Sequence, residues 1–292
     1  MDYRKKFAVA PGAKVRLSKI DASYTGDHDS HEKAQPEIDK HVERLEKLQY
    51  LLYADGNQSL LVVLQALDAA GKDGVIRHVF SGMNPQGTSV FGFKQPSKEE
   101  AAHDFLWRAH LRAPGKGEVV IFNRSHYEDV LVVRVHKLVD NSVWSKRYEL
   151  INDFETMLAR NGTTILKFFL HITPEEQLAR FKQRLDDPSR QWKISESDYS
   201  ERELWPKYTE AYEDAIALTS TKRAPWYVIP ANHKWFRNLA ISQIIADTMD
   251  EMGLKLPPTH VDIADIRRKF HMAQDEEKND KKKKGKNDKK AG

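Results

Sequence analysis

Residues 60–80 read LLVVLQALDAAGKDGVIRHVF, and this stretch decides the fold. Leu60-Leu61-Val62-Val63-Leu64 is apolar without alternation, the pattern of a strand covered on both faces. Asp68-Ala69-Ala70-Gly71-Lys72-Asp73-Gly74 follows, and Val75-Ile76-Arg77-His78-Val79-Phe80 resumes with helical spacing. In a strand, loop, helix arrangement the loop N–H groups and the helix N-terminus converge on an anion, and Lys72 adds a point charge for a phosphate oxygen. The usual phosphate-loop pattern, G-x-x-x-x-G-K-[ST], is departed from twice, with Ala66 for the first glycine and Asp73 for the hydroxyl residue. A tight turn that needs Gly71 only for its backbone is the alternative. Asp68 stands at the carboxyl end of the strand, where open parallel sheets bind ligands, and it offers a hard oxygen to a divalent ion beside phosphate.

Outward from this unit, Glu118-Val119-Val120-Ile121-Phe122, Thr164-Ile165-Leu166-Lys167-Phe168-Phe169-Leu170 and Trp226-Tyr227-Val228-Ile229 are three further buried-strand runs. Upstream, Ile38, Val42, Leu45, Leu48 and Leu52 recur every three or four positions, which predicts an amphipathic helix over 36–54. Ser97-Lys98-Glu99-Glu100 and Thr173-Pro174-Glu175-Glu176 fit capping boxes, and Gly162 suits a helix C-terminus. Strands alternating with helices imply an α/β fold: a parallel sheet with helices on both faces. Residues 183–199, polar with Pro188, read as a mobile loop, and Pro257-Pro258 as the end of the compact body. The expected organisation is an N-terminal extension (1–35), a kinase-like domain (36–256) and a C-terminal extension (257–292).

The strand ending at Phe122 runs into Asn123-Arg124-Ser125-His126-Tyr127-Glu128-Asp129, again at a carboxyl edge. Arg124 can clamp phosphate oxygens through its planar fork, while Glu128 or Asp129 completes a metal shell, and Arg134 lies ten residues on. A capped helix start with salt-bridged acids is the alternative. His126 has no second histidine at metal-ligand spacing and reads as a structural hydrogen-bonding residue. In the helix after Thr173, Arg180 and Arg184 share a face, with Lys182 between them and Arg190 and Lys193 beyond. That clustering suits a basic lid, about 174–200, closing over a transferring phosphoryl group; a solvated face paired with Glu175, Glu176, Asp186 and Asp187 is the alternative. Trp192, Trp205 and Tyr208 are candidates for stacking a nucleobase, or for core.

Of the net charge of +4, residues 275–292 carry +3, eight lysines against five acids, which leaves +1 for residues 1–274. The charge therefore does not mark the body as a nucleic-acid binder. The lysine-rich end reads as a disordered, solvated tail, or as a tether for a polyanion. No run approaches the roughly 20 apolar residues of a membrane span, and no signal sequence opens the chain, so no membrane partner and a cytoplasmic location are expected. The absence of cysteine removes disulfides and thiolate chemistry.

The quoted motifs, Asp-x-x-Gly-Lys-Asp-Gly at 68–74, Asn-Arg-Ser-His-Tyr-Glu-Asp-Val-Leu at 123–131 and the basic segment 178–193, closely resemble the polyphosphate kinase 2 family, its class III branch in particular. Similarity also runs through residues 166–171 and 224–231, covering about 36–255. The resemblance implies a thymidylate-kinase-like P-loop fold with a helical basic lid. It also implies reversible transfer of the terminal phosphoryl of inorganic polyphosphate to AMP and ADP, dependent on Mg²⁺, with Mn²⁺ as a substitute. It assigns Asp68 to the metal, with Ala69, Ala70, Gly71, Lys72, Asp73 and Gly74 to phosphate. Arg124 and the lid arginines Arg180 and Arg184 go to the polyanion, and Arg134 and Lys193 are further phosphate-binding candidates. Other branches carry aspartate where Asn123 stands, so Glu128 becomes the substitute metal candidate. Asn84, Lys94, Asn123 and Glu128 are the nucleotide-binding candidates, and a homo-oligomer, dimer or tetramer, is expected. Two rivals remain at this stage: an ATP-dependent P-loop kinase of a small acceptor, and a non-enzymatic polyanion-binding protein whose lysine tail carries the affinity.

Overall fold

The computed structural model describes residues 1–288. Five parallel strands, β1 (Ser59–Gln65), β2 (Thr88–Gly92), β3 (Val119–Asn123), β4 (Thr163–His171) and β5 (Trp226–Pro230), form one sheet in the order β2-β3-β1-β4-β5. The unbroken apolar runs follow from burial on both faces. Leu60, Val62 and Leu64 of β1 enter one core layer, with Val119, Ile121, Leu166, Phe168 and Ile229. Leu61 and Val63 enter the other, with Val120, Phe122, Ile165, Phe169 and Val228. The first layer is completed by helices His31–Asp55, Lys72–Val79 and Lys234–Glu251. The second is completed by Glu128–Val135, Arg147–Arg160 and Trp205–Thr219.

β1 pairs with β3 on one side and β4 on the other, with Leu64 in register with Asn123 and with Phe168. The chain turns to opposite sides of β1, so a crevice opens at its carboxyl end, the place where such sheets hold ligands. β2, missed in the sequence, is an edge strand of largely exposed residues, so Thr88-Ser89-Val90-Phe91-Gly92 never shows a buried-strand run.

Three expectations need correction. The first long helix begins at His31, capped by Ser30, and runs across the supposed boundary at 35. The segment before it is core: Tyr3 and Phe7 stack on each other and meet Phe236 edge-on, and Ala8 bridges to Tyr227 of β5. Widely spaced apolar residues give no periodic signal, so only packing reveals them. The stretch 183–199 holds the end of helix Pro174–Asp186, a 3₁₀ turn at Gln191–Lys193 and the start of helix Glu196–Glu203.

A second compact unit begins at Leu256, and its helix Ile263–Asp288 enters the lysine run expected to be disordered. Lysine, glutamate, glutamine and alanine are strong helix formers, and Asp265 pairs with Arg268 and Lys269, as Asp275 does with Lys278, at helical spacing. The expectation for residues 289–292 lies outside the described residues.

Candidate active site

β1 ends at Gln65 and its helix restarts at Lys72, so the loop between must turn sharply. Ala69 (φ 63°) and Gly71 (φ 104°) both adopt left-handed backbone, the alternation that lets successive N–H groups face one concavity. Gly71 is required twice over: its φ favours glycine, and a Cβ there would collide with Arg237 Nη1. A Cβ on Gly74 would stand 3.0 Å from Arg237 Nη2. Lys72 Nζ is buried and donates to Ala66 O at 2.9 Å. Burial pushes its pKa down, against the pull of Asp68.

Opposite the loop, Arg124 is left-handed (φ 61°), a strained conformation for a residue that carries a Cβ, and its N–H donates to Leu64 O at 3.0 Å. Its guanidinium donates to Asp68 Oδ1 at 3.0 Å and lies 3.8 Å from Glu128 Oε2. Glu128 accepts from Gln65 Nε2 at 3.0 Å, and burial raises its pKa against the opposing pull of Arg124. Asn123 Nδ2 donates to Asp73 Oδ1 at 2.9 Å, so an aspartate at 123 would set two carboxylates face to face.

Asp68 and Arg124 line two adjoining cavities. The larger, about 1340 Å³, is walled by the loop, β3's end, residues between Arg180 and Lys193 and the start of helix Lys234–Glu251. Ten lysines and arginines line it against three carboxylates, Asp39, Asp68 and Asp73, in a body whose net charge is only +1. The smaller, about 260 Å³, is lined by Glu128, His136, Glu201, Trp205, Tyr208 and Tyr212 among others. Of the residues predicted from sequence, Asp68, Ala69, Gly71, Lys72, Asp73, Gly74, Lys94, Asn123, Arg124, Arg180, Arg184 and Lys193 line the larger cavity. Glu128 lines the smaller.

Others are placed differently. Arg134 points away, pairing with Glu210 at 2.8 Å and Asp214 at 2.7 Å and lying over the Trp144 ring. Its expected role on the polyanion is therefore set aside, because two carboxylates already neutralise it. Asn84 caps a 3₁₀ turn by accepting from Gln86 N and lines neither cavity. Ala70 is fully buried behind the loop. Arg180 is a strut: it donates to Glu176 Oε1, Ala69 O, Ala70 O, Ala231 O and Asn232 O at 2.6–3.0 Å. With its donors committed, it braces the loop and clamps no phosphate. The same contact explains why Thr173 makes only half of the expected capping box, since Glu176 turns to Arg180. Arg184 is part-exposed and Lys193 exposed at the cavity, and Trp192 is 78% exposed there.

Arg237 is the residue that sequence reading missed. It is buried, donates to Ala70 O at 3.2 Å and to Asn238 Oδ1, and among the described residues has no carboxylate partner. Burial pushes its pKa down, yet a guanidinium stays cationic at neutral pH, so an uncompensated charge lies beneath the phosphate loop. The available signal was an arginine inside an apolar helix, flanked by Phe236, Leu239, Ala240 and Ile241.

For a divalent ion, the described residues contain no group of three or more His, Cys, Asp or Glu side chains able to form a cage. Asp68, part-exposed on both cavities, fits the other arrangement, in which one or two carboxylates share the ion with substrate phosphates. Glu128 fits less well as a direct ligand, being mostly buried and held by Gln65.

The chain is 52% identical over 254 residues to the AMP/ADP-polyphosphate phosphotransferase of Meiothermus ruber, covering 87% of this chain and 95% of that one. It is 46% identical over 267 residues to the ADP-polyphosphate phosphotransferase of Rhodopseudomonas palustris, covering 87% and 92%. The crystal structure of polyphosphate kinase 2 from Arthrobacter aurescens TC1 superposes with a TM-score of 0.90 at 39% identity, over 93% of this chain and 97% of that one. The polyphosphate kinase 2 family profile matches residues 28–257, and with relatives of this identity over nearly their full length, the chain belongs to the polyphosphate kinase 2 family.

Proposed function

We propose that this kinase transfers the terminal phosphoryl group of inorganic polyphosphate to AMP and to ADP, reversibly and with Mg²⁺. The names of its relatives, one for AMP and ADP and one for ADP, support the nucleotide acceptor. The observation that carries the donor is the larger cavity: ten cationic side chains against three carboxylates concentrate positive charge where a long polyanion must lie.

The acceptor's attacking group is a phosphate oxygen that is already anionic, so no general base is needed. That oxygen bonds to the terminal phosphorus as the bond to the bridging oxygen breaks, and the shortened polyphosphate leaves with the electron pair. The protein's part is to orient the two anions and to neutralise charge. The loop N–H groups and Lys72 hold the donor, Arg124 faces the equatorial oxygens beside Asp68, and Arg184 and Lys193 close from the lid. Asp68, together with phosphate oxygens, would hold Mg²⁺ or Mn²⁺, and the bound ion would supply charge neutralisation. Water is excluded by the lid, which protects the donor from hydrolysis.

The test is to mix the protein with Mg²⁺, long-chain polyphosphate and AMP, and to separate products by anion exchange. ADP and then ATP, dependent on every component, are expected. ATP from ADP alone contradicts the AMP part, and transfer only from a nucleoside triphosphate contradicts the donor.

A further inference from the structure

Behind the 123–128 turn lies a fully buried polar network that the transfer itself does not use. Glu155 of helix Arg147–Arg160 and Lys167 of β4 form an ion pair at 2.5 Å inside the second core layer. Lys167 Nζ donates also to Thr219 O at 2.7 Å and to Tyr127 Oη at 2.9 Å, which uses all three ammonium protons. Tyr127 Oη lies 2.9 Å from Glu155 Oε1 and equally far from Thr219 Oγ1. Its one proton goes to the carboxylate, the stronger acceptor of the two. His126 Nε2 stands 3.3 Å from the same Glu155 oxygen.

Two consecutive residues of the turn are thus tied to one carboxylate, and the neighbouring Ser125 Oγ accepts from Gln65 Nε2 and Tyr127 N. Apolar side chains of the same volume would fill this space without the expense of desolvating two charges, so packing does not explain the network. Directed hydrogen bonds supply what packing lacks, a fixed rotation of the chain. That rotation matters because Arg124, two residues before His126, is left-handed, a state that persists only where its surroundings over-determine it.

We propose that Glu155 and Lys167 are positioning residues of the transfer site, acting through Tyr127 and His126 to hold the turn that aims Arg124 at the transferring phosphoryl group. The inference rests on the reading of Arg124 given above.

Tyr127→Phe tests it with the least disturbance, since the ring and the Glu155–Lys167 pair remain. The expected result is a folded protein with near-normal KM for polyphosphate and ADP and a kcat lowered about tenfold, the scale of one directed hydrogen bond. Combined with Arg124→Ala, which alone lowers kcat further, Tyr127→Phe adds no more than about twofold, since two residues acting through one group are not additive. Glu155→Gln, if folded, shows the same loss and the same coupling; if it does not fold, Tyr127→Phe carries the test. Wild-type kcat in Tyr127→Phe, or losses that multiply in the double variant, overturn the proposal. Wild-type kcat in Arg124→Ala instead overturns the site reading, and this inference with it.

Discussion

Lys72 holds its ammonium on the carbonyl of Ala66, buried at the foot of the cavity, so its charge is desolvated before any phosphate arrives. Burial lowers its pKa from the ordinary 10.5, and the alkaline limb of kcat/KM, which reports the free enzyme, is expected below that value. Lys72→Arg moves that limb upward if turnover survives; a limb unchanged by the substitution assigns it to another group. The stability linkage has the same origin. The unfolded chain binds this proton more tightly than the folded one, so this contribution is present above pH 10.5 and lost as pH falls through the folded pKa. Gly71→Ala is expected to cost about 1–2 kcal/mol for the left-handed backbone alone, with the collision against Arg237 in addition. Chemical denaturation reads the first part, and a loss of turnover beyond tenfold reads the displaced loop. Arg180 and Arg237 mark how far residues can be read from a linear chain. Spacing puts Arg180 on the helix after Thr173, but it cannot show which carbonyls a guanidinium meets. Arg237 belongs to no motif and enters the site only because β5 and its following helix fold back onto the loop.

At the scale of elements, β1 was legible because both of its faces are covered: five consecutive apolar residues have no other use in a strand. β2 was illegible for the converse reason, being an edge with exposed side chains. Leu64→Ala, next to the last residue of β1, is expected to destabilise the fold by about 2–5 kcal/mol, measured by urea unfolding. A loss below about 0.5 kcal/mol contradicts a close-packed layer beneath the site. The helix Pro174–Asp186 carries residues of two kinds. Arg180→Lys leaves several carbonyls of the loop and of Ala231 and Asn232, just after β5, unpaired and is expected to lower the melting temperature. Arg184→Ala, whose guanidinium meets Lys193 O, the edge of Asp198 and the Phe181 ring, is expected to raise KM for polyphosphate with a smaller change in melting temperature. Equal thermal effects of the two substitutions contradict this division.

For the molecule as a whole, the sequence conveyed the α/β class, the sheet and the phosphate loop, because each is written in periodicity or in a compact motif. The core role of residues 1–35 and the helix at Ile263–Asp288 were hidden, the first by sparse apolar spacing and the second by a composition that disorder and an exposed helix share. The family profile ends at residue 257, before that helix. Deleting residues 275–292 is therefore expected to leave kcat within about twofold, though salt sensitivity of polyphosphate binding falls with the lost lysines. Loss of all activity on that deletion favours a tail-borne polyanion site.

The account turns on Asp68, where both cavities and the phosphate loop meet. Steady-state turnover of Asp68→Asn with Mg²⁺, polyphosphate and ADP tests it most directly, with circular dichroism to confirm the fold. Turnover is expected to fall by at least about a thousandfold in a folded protein, on the scale of losing a metal-bound transition-state charge. A folded Asp68→Asn enzyme that still turns over near the wild-type rate contradicts the site as described.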